Sequence, residues 1–148
     1  MAYEVTKLET KPTYVASMRM TIPEYSSALT LRAVKTLRKE LRRKGIQLSD
    51  PQYNFVIAYD SPEKLEVIDV EVFVSVENMG PDSQMIKFTT LPAEQAIIRV
   101  KADVFEDVHI ALAEWMHDHN YEADGVLRTI IHDGDDFIYD CPVKPSED

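Results

Sequence analysis

One cysteine in 148 residues, Cys141, excludes an intramolecular disulfide and any metal site built from several thiolates. It stands in a strand pattern, which predicts a buried, inert thiol rather than a nucleophile. No apolar run approaches the roughly twenty residues a membrane-spanning helix needs, so no membrane contact is expected. The opening MAYEVTKLE has neither the basic nor the apolar region of a secretion signal, and cytoplasmic residence is the default expectation. Positive charge is scarce: 16 Lys and Arg stand against 26 Asp and Glu, a formal net charge of −10. Neutralising phosphates is the main source of nonspecific affinity for nucleic acid, so direct nucleic-acid binding is not expected.

What remains is an ordinary folded composition, 45% hydrophobic and 28% charged, on a chain long enough for one domain with a real core. The scarce cations are unevenly placed. Arg32, Lys35, Arg38, Lys39, Arg42, Arg43 and Lys44 all fall in one stretch. On a helix they form either a solvated face or a docking surface for an acidic protein partner, a second copy of the chain included.

The stretch IKFTTLPAEQAIIRV repeats the opening TKLETKPTYVASMRM at a constant offset. Without a gap, Lys7 falls on Lys87, Thr10 on Thr90, Pro12 on Pro92, Ala16 on Ala96 and Arg19 on Arg99. The same order of events follows each copy. Strands are expected over 4–8, 14–20, 53–59 and 67–77 in the first, with a helix over 26–44. In the second they are expected over 85–90, 94–100, 126–132 and 137–143, with a helix over 104–119. Asp60, Ser61 and Pro62 mark one hairpin turn, Asp133, Gly134 and Asp135 the other.

Leu29, Ala33, Val34, Leu37 and Leu41 make the first helix's apolar stripe, closed by Gly45. Val104, Val108, Ala111, Leu112, Trp115 and Met116 make the second, closed by Asn120. The chain is thus expected to be an α+β domain of two modules, about 3–77 and 84–143. Each is an antiparallel sheet with one long helix, the two related by pseudo-twofold symmetry with a cleft at the seam.

Strand alternation names the residues facing that seam. Val70, Val72, Val74 and Val76 are core, with Val56, Ala58, Leu127, Thr129 and Ile131 toward the helices. The opposite face carries Phe55, Ile57, Tyr59, Glu71, Phe73, Arg128, Ile130 and His132, aromatic and aliphatic walls with a few charged groups. Such a face suits a small-molecule cleft, or burial against the other half. His132 reads as a turn histidine and Trp115 as core. His117 and His119 do not share a helix face, and Asp133, Asp135 and Asp136 lack the spacing of a calcium loop. Neither metal nor cofactor is expected.

In order and along nearly its whole length, the chain resembles the GyrI-like family, the DNA gyrase inhibitor type proteins and effector-binding domains of MerR-type and AraC-type regulators. The opening YEVTKLETKPTYVASMRMTIPEY, the middle NFVIAYDSPEKLEVIDVEVFVSV, AEQAIIRVKADVFEDVHIALAEWM and the closing FIYDCPV carry the resemblance. It implies a duplicated β-α-β-β fold whose cleft binds hydrophobic, often cationic, molecules over aromatic rings with an acid at the base.

Two departures matter. The family's glutamate falls on or beside Arg128, with its usual aromatic on Ile130, and its Gly-Pro-aromatic after the second strand is here Ile22, Pro23, Glu24, Tyr25. An arginine in place of a buried carboxylate reverses the charge preference of such a cleft. Some members hydrolyse electrophilic toxins with that glutamate; without it, hydrolysis is not expected unless Glu71 substitutes. The expected function is small-molecule binding by a stand-alone chain that lacks a helix-turn-helix segment. Ligand contacts are expected from Phe55, Ile57, Tyr59, Glu71, Phe73, Arg128 and Ile130. The alternatives are a toxin hydrolase and a protein-interaction module of the gyrase-inhibitor kind.

Overall fold

A computed structural model describes residues 3–23, 26–59, 67–94, 96–132 and 134–146. The expected turn at Asp60, Ser61 and Pro62, the altered Glu24 and Tyr25, and Asp133 lie outside the described residues. In chain order the elements are β1 (Tyr3–Leu8), β2 (Thr13–Ile22), α1 (Ser27–Arg43), β3 (Asn54–Tyr59), β4 (Ile68–Val76) and β5 (Lys87–Leu91). Then follow β6 (Ile97–Ala102), α2 (Phe105–His119), β7 (Tyr121–Ala123), β8 (Arg128–Ile130) and β9 (Phe137–Pro145). The class is α+β, and the described ladders are antiparallel.

The chain divides into two compact units, Pro12–Pro92 and Met1–Lys11 with Ala93–Asp148. Both boundaries fall at the prolines that the repeat equates. Proline has no N–H to donate to a ladder and holds the residue before it extended, so each marks where one strand ends and the chain leaves.

The lead-in strands are exchanged as a result. β1, from the first copy of the repeat, pairs with β6, and β5, from the second copy, pairs with β2. Thr10 N–H donates to the Glu94 carbonyl and Glu94 N–H to Thr10 Oγ1, each at 3.0 Å, tying β1 to the approach of β6. Strand order is β5-β2-β4-β3 in one unit and β1-β6-β9-β8 in the other, with β7 on β9. The ladders do not follow one constant spacing. Lys7 lies opposite Ile98, whose counterpart eighty residues earlier is Met18, whereas Lys87 lies opposite Ser17.

In the Pro12–Pro92 unit α1 packs on β4 and β2. Ser26 Oγ accepts from Leu29 N–H at its start. At its end Gly45, at φ +79°, lets Gly45 N–H reach the Arg42 carbonyl and Ile46 N–H reach Leu41. Ala33, Val34, Leu37 and Leu41 are buried as the stripe requires, together with Thr30, whose hydroxyl donates to carbonyls one turn back. Val70, Val72 and Val74 are fully buried. Ala58, expected against the helix, is exposed.

The other unit packs Val108, Ala111 and Leu112 of α2 on Ile98, Val100, Ala102, Tyr139, Cys141 and Val143. Asn120 closes α2 in the left-handed conformation, φ 59°. Three expectations change here, and one strand is new. Val104 is not in the inward stripe; it is the N-cap and 47% exposed. Trp115 borders the core rather than filling it, half-buried and stacked on His119 with ring centroids 4.1 Å apart. The strand expected over 126–132 shrinks to Arg128–Ile130, because Gly125 and the exposed Val126 lie outside the ladder. β7, three residues long, carries too little pattern to be read from sequence.

Cavity costs follow exposure. Leu37, fully buried, is expected to lose about 2–5 kcal/mol of stability on Leu37→Ala. Trp115→Ala is expected to lose less than Leu37→Ala, since solvent already reaches the indole. Urea unfolding followed by circular dichroism gives both, and an equal or larger loss at Trp115 would contradict this packing.

Candidate functional site

Alternation and register bring five of the seven expected residues onto one face of the Pro12–Pro92 unit. Across β2, β4 and β3 the rows are Ser17, Phe73 and Phe55; Arg19, Glu71 and Ile57; and Thr21, Asp69 and Tyr59. Met18, on the alternate side of β2, lines a groove with Leu37 of α1, so these rows face away from the helix. Phe55 and Phe73 stack, with centroids 4.5 Å apart and planes 9° from parallel, and Tyr53 lies 4.9 Å from Phe55. Phe55 is fully buried and Phe73 is 6% exposed, so the pair is a rigid backing. Ile57, Tyr59 and Glu71 are half-buried beside it.

Glu71 is the polar centre of this face. Ser17 Oγ donates to its Oε2 and Tyr59 OH to its Oε1, both at 2.6 Å, the length of a hydroxyl held by a charged acceptor. The Arg19 guanidinium lies 4.2 Å from the centre of the Tyr59 ring, a cation over a π face. Burial, then the hydrogen bond to Glu71 and its charge, pushes the Tyr59 phenol up to about 12, against the opposing pull of Arg19. This corner therefore already holds a cation on an aromatic ring above a carboxylate, all supplied by the chain.

The second unit, taken by itself, carries a row of charge at Arg99, Asp140 and Arg128 across β6, β9 and β8. Arg99 grips Asp140 with two parallel bonds, Nε to Oδ1 at 2.7 Å and Nη2 to Oδ2 at 2.9 Å. Asp140 is 1% exposed, and a carboxylate buried so far needs such a fork. Arg128 is 8% exposed, with Nη2 3.8 Å from Glu94 Oε1. Ile130, two positions on, shares its side of the strand and is half-buried. Cys141 faces the α2 core, and its burial pushes the thiol up, as an inert cysteine requires.

Phe55, Ile57, Tyr59, Glu71 and Phe73 are thus together on one face, while Arg128 and Ile130 belong to the other unit. Sequence reasoning did not single out Ser17 and Arg19, which contact Glu71 and Tyr59, nor the buried pair of Arg99 and Asp140. Their signal was present: Arg19 and Arg99 are matched by the repeat, and each lies opposite a carboxylate. His132 is a turn residue. Gly134 N–H donates to its Nδ1 at 2.9 Å, so Nε2 carries the proton and donates to the Asp136 carbonyl at 2.8 Å. Among the described residues no cluster of three or more His, Cys, Asp or Glu is placed to hold a metal. A groove of about 400 Å³ opens on the helix side of the Pro12–Pro92 unit, away from the rows of Glu71 and Phe73.

No protein-family model matches the chain, and no curated protein sequence does. Solved structures do. The C-terminal domain of EcmrR matches over 98% of this chain and 99% of that domain, at 24% identity and a TM-score of 0.76. EcmrR in its DNA complex matches 98% of this chain at 24% identity and a TM-score of 0.79; the match spans 59% of that protein. A hydrolase from Listeria innocua matches 95% of this chain and 92% of its own, at 10% identity and a TM-score of 0.62. At these identities the likeness is one of fold.

Tyr59 supplies a direct test of the corner. Its raised phenol keeps its proton while unfolded tyrosines lose theirs near 10, so the stability it contributes is complete below that pH and is lost as pH rises towards about 12. Ultraviolet titration of the folded chain should show a late tyrosine that disappears in Tyr59→Phe and shifts down in Glu71→Gln, in addition to Tyr3 and Tyr139, whose phenols are also raised. A titration unchanged in both variants would mean that the phenol is not held by Glu71.

Proposed function

We propose that this chain, which has the fold of the GyrI-like effector-binding domains, binds an aromatic or amphipathic small molecule. The ligand lies on the helix-free face of the Pro12–Pro92 unit, over Ile57, Tyr59 and the edge of Phe73, with buried Phe55 as backing. The observation that carries this reading is the filled corner at Glu71. Both of its oxygens accept from Ser17 and Tyr59, and Arg19 already occupies the π face of Tyr59. A lipophilic cation would have to displace Arg19 and compete with two charge-assisted bonds. A neutral ring stacks without that cost, and a carboxylate or sulfonate gains the guanidinium.

The sequence expectation adds Arg128 and Ile130 to the same ligand, and Arg128 favours the same charge. It also takes the two units as copies of one duplicated β-α-β-β module. Glu71, held by two hydroxyl donors, is a ligand-orienting group in this reading and not a catalytic acid.

Titration calorimetry with a matched pair, a naphthalene sulfonate and a naphthyl trimethylammonium, tests the proposal. The anion is expected to bind about tenfold more tightly, a difference of about 1.4 kcal/mol. Arg19→Ala and Arg128→Glu should each narrow that gap, and Phe73→Ala should weaken both ligands. A preference for the cation that neither arginine variant changes would overturn the charge assignment. Binding unaffected by Phe73→Ala would place the ligand elsewhere.

A further inference from the structure

The two helices have opposite charge. Between Ser27 and Arg43, α1 carries Arg32, Lys35, Arg38, Lys39, Arg42 and Arg43 against one carboxylate, Glu40, which is bound to Arg43 at 2.8 Å. Between Phe105 and His119, α2 carries Glu106, Asp107, Glu114 and Asp118 with no lysine or arginine. Apart from half-buried Arg38, the α1 cations are exposed, as are Glu106, Glu114 and Asp118. This separation exists in a chain whose net charge is −10, where seven of 16 cations fall on α1 and the residue after it.

Each face also has an apolar part of matching form. Beside α1 runs the groove of about 400 Å³, with Met18, Leu37, Met85 and Ile86 in its lining and Glu40, Arg43 and Lys44 at its edge. Met85 is 64% exposed there, so the apolar lining of the groove is open at the surface. On α2, Ile110 is 47% exposed and lies one turn from Glu106 and one turn from Glu114, on the same stripe. A branched apolar side chain flanked by two carboxylates is the complement of an apolar groove edged by cations.

We propose that the basic face of α1 and its groove dock the acidic α2 face of a second copy, Ile110 entering the groove between Met85 and Leu37. Nucleic acid fits less well: a phosphate backbone matches the cations but leaves the methionine-lined groove unused, and the remaining surface of so acidic a chain repels it. At about 0.1 M salt, repulsion between the two acidic bodies is screened beyond roughly 10 Å, while the contact pairs are not. The docking is independent of the ligand-binding face, whose residues it does not use.

Analytical ultracentrifugation over a concentration series, with a charge swap, tests it. The α1 variant is Lys39→Glu with Arg42→Glu; the α2 variant is Glu106→Lys with Glu114→Lys; circular dichroism verifies that both fold. Wild type should self-associate and weaken as salt rises from about 0.1 to about 1 M. Each variant alone should associate about tenfold more weakly or worse, since like charges then meet. Their equimolar mixture should regain association, because one wild-type contact and one reversed contact re-form.

Three results overturn the proposal: a wild type that stays monomeric at its highest soluble concentration, a mixture no stronger than its parts, or reversal of α1 without effect. Loss of duplex-DNA binding in the α1 variant with self-association intact would also overturn it and assign the face to nucleic acid.

Discussion

An arginine placed opposite a carboxylate, on the middle strands and on the side away from the helix, is the constraint to which each unit's other contacts adjust. In one unit it is Arg99 against Asp140, whose carboxylate is 1% exposed. A charge so far from water is tolerable only when paired and hydrogen-bonded, and the two-bond fork provides both. A slip of β9 by one residue against β6 would turn Asp140 into the α2 core and Cys141 out of it. The pair therefore fixes register as firmly as the apolar pattern does.

The same placement recurs at Arg19 and Glu71 and is spent differently. Ser17 and Tyr59, two neutral donors, take the carboxylate, and Arg19 moves onto the ring of Tyr59. Asp140 is sealed and structural, while Glu71 is half-buried beside Ile57 and Tyr59 with the stacked phenylalanines behind it. A buried carboxylate gripped by a guanidinium holds its sheet together, whereas Glu71, held by two neutral hydroxyls, is half-buried and reachable from the surface.

Charge is distributed on a larger scale as well. The helices cover opposite kinds of surface: α1 carries six of the 16 cations of an acidic chain, and α2 bears carboxylates alone among its Asp, Glu, Lys and Arg. Neither distribution is needed for folding. The buried stripes of Ala33, Val34, Leu37 and Leu41 and of Val108, Ala111 and Leu112 would pack equally well beneath neutral polar residues. Surface charge of this pattern affects association instead.

Much was legible from sequence because it depends on local periodicity. The two helices and their left-handed ends at Gly45 and Asn120, the buried valines of β4, and the common face of Phe55, Ile57, Tyr59, Glu71 and Phe73 follow from periods of 3.6 and 2 and from which residues tolerate positive φ. The boundary between modules was not legible: sequence set it between 77 and 84, whereas the compact units part at Pro12 and Pro92.

Which strand each lead-in joins was decided only by tertiary structure. β1 and β5 look alike to any local rule, and the exchange between them depends on contacts about 70 to 100 residues apart in the chain. So does the partner of each charge. Composition shows that Arg19, Arg99 and Arg128 exist, but a guanidinium's choice between a carboxylate and an aromatic ring is made by what the folded sheet brings within a few ångströms of it.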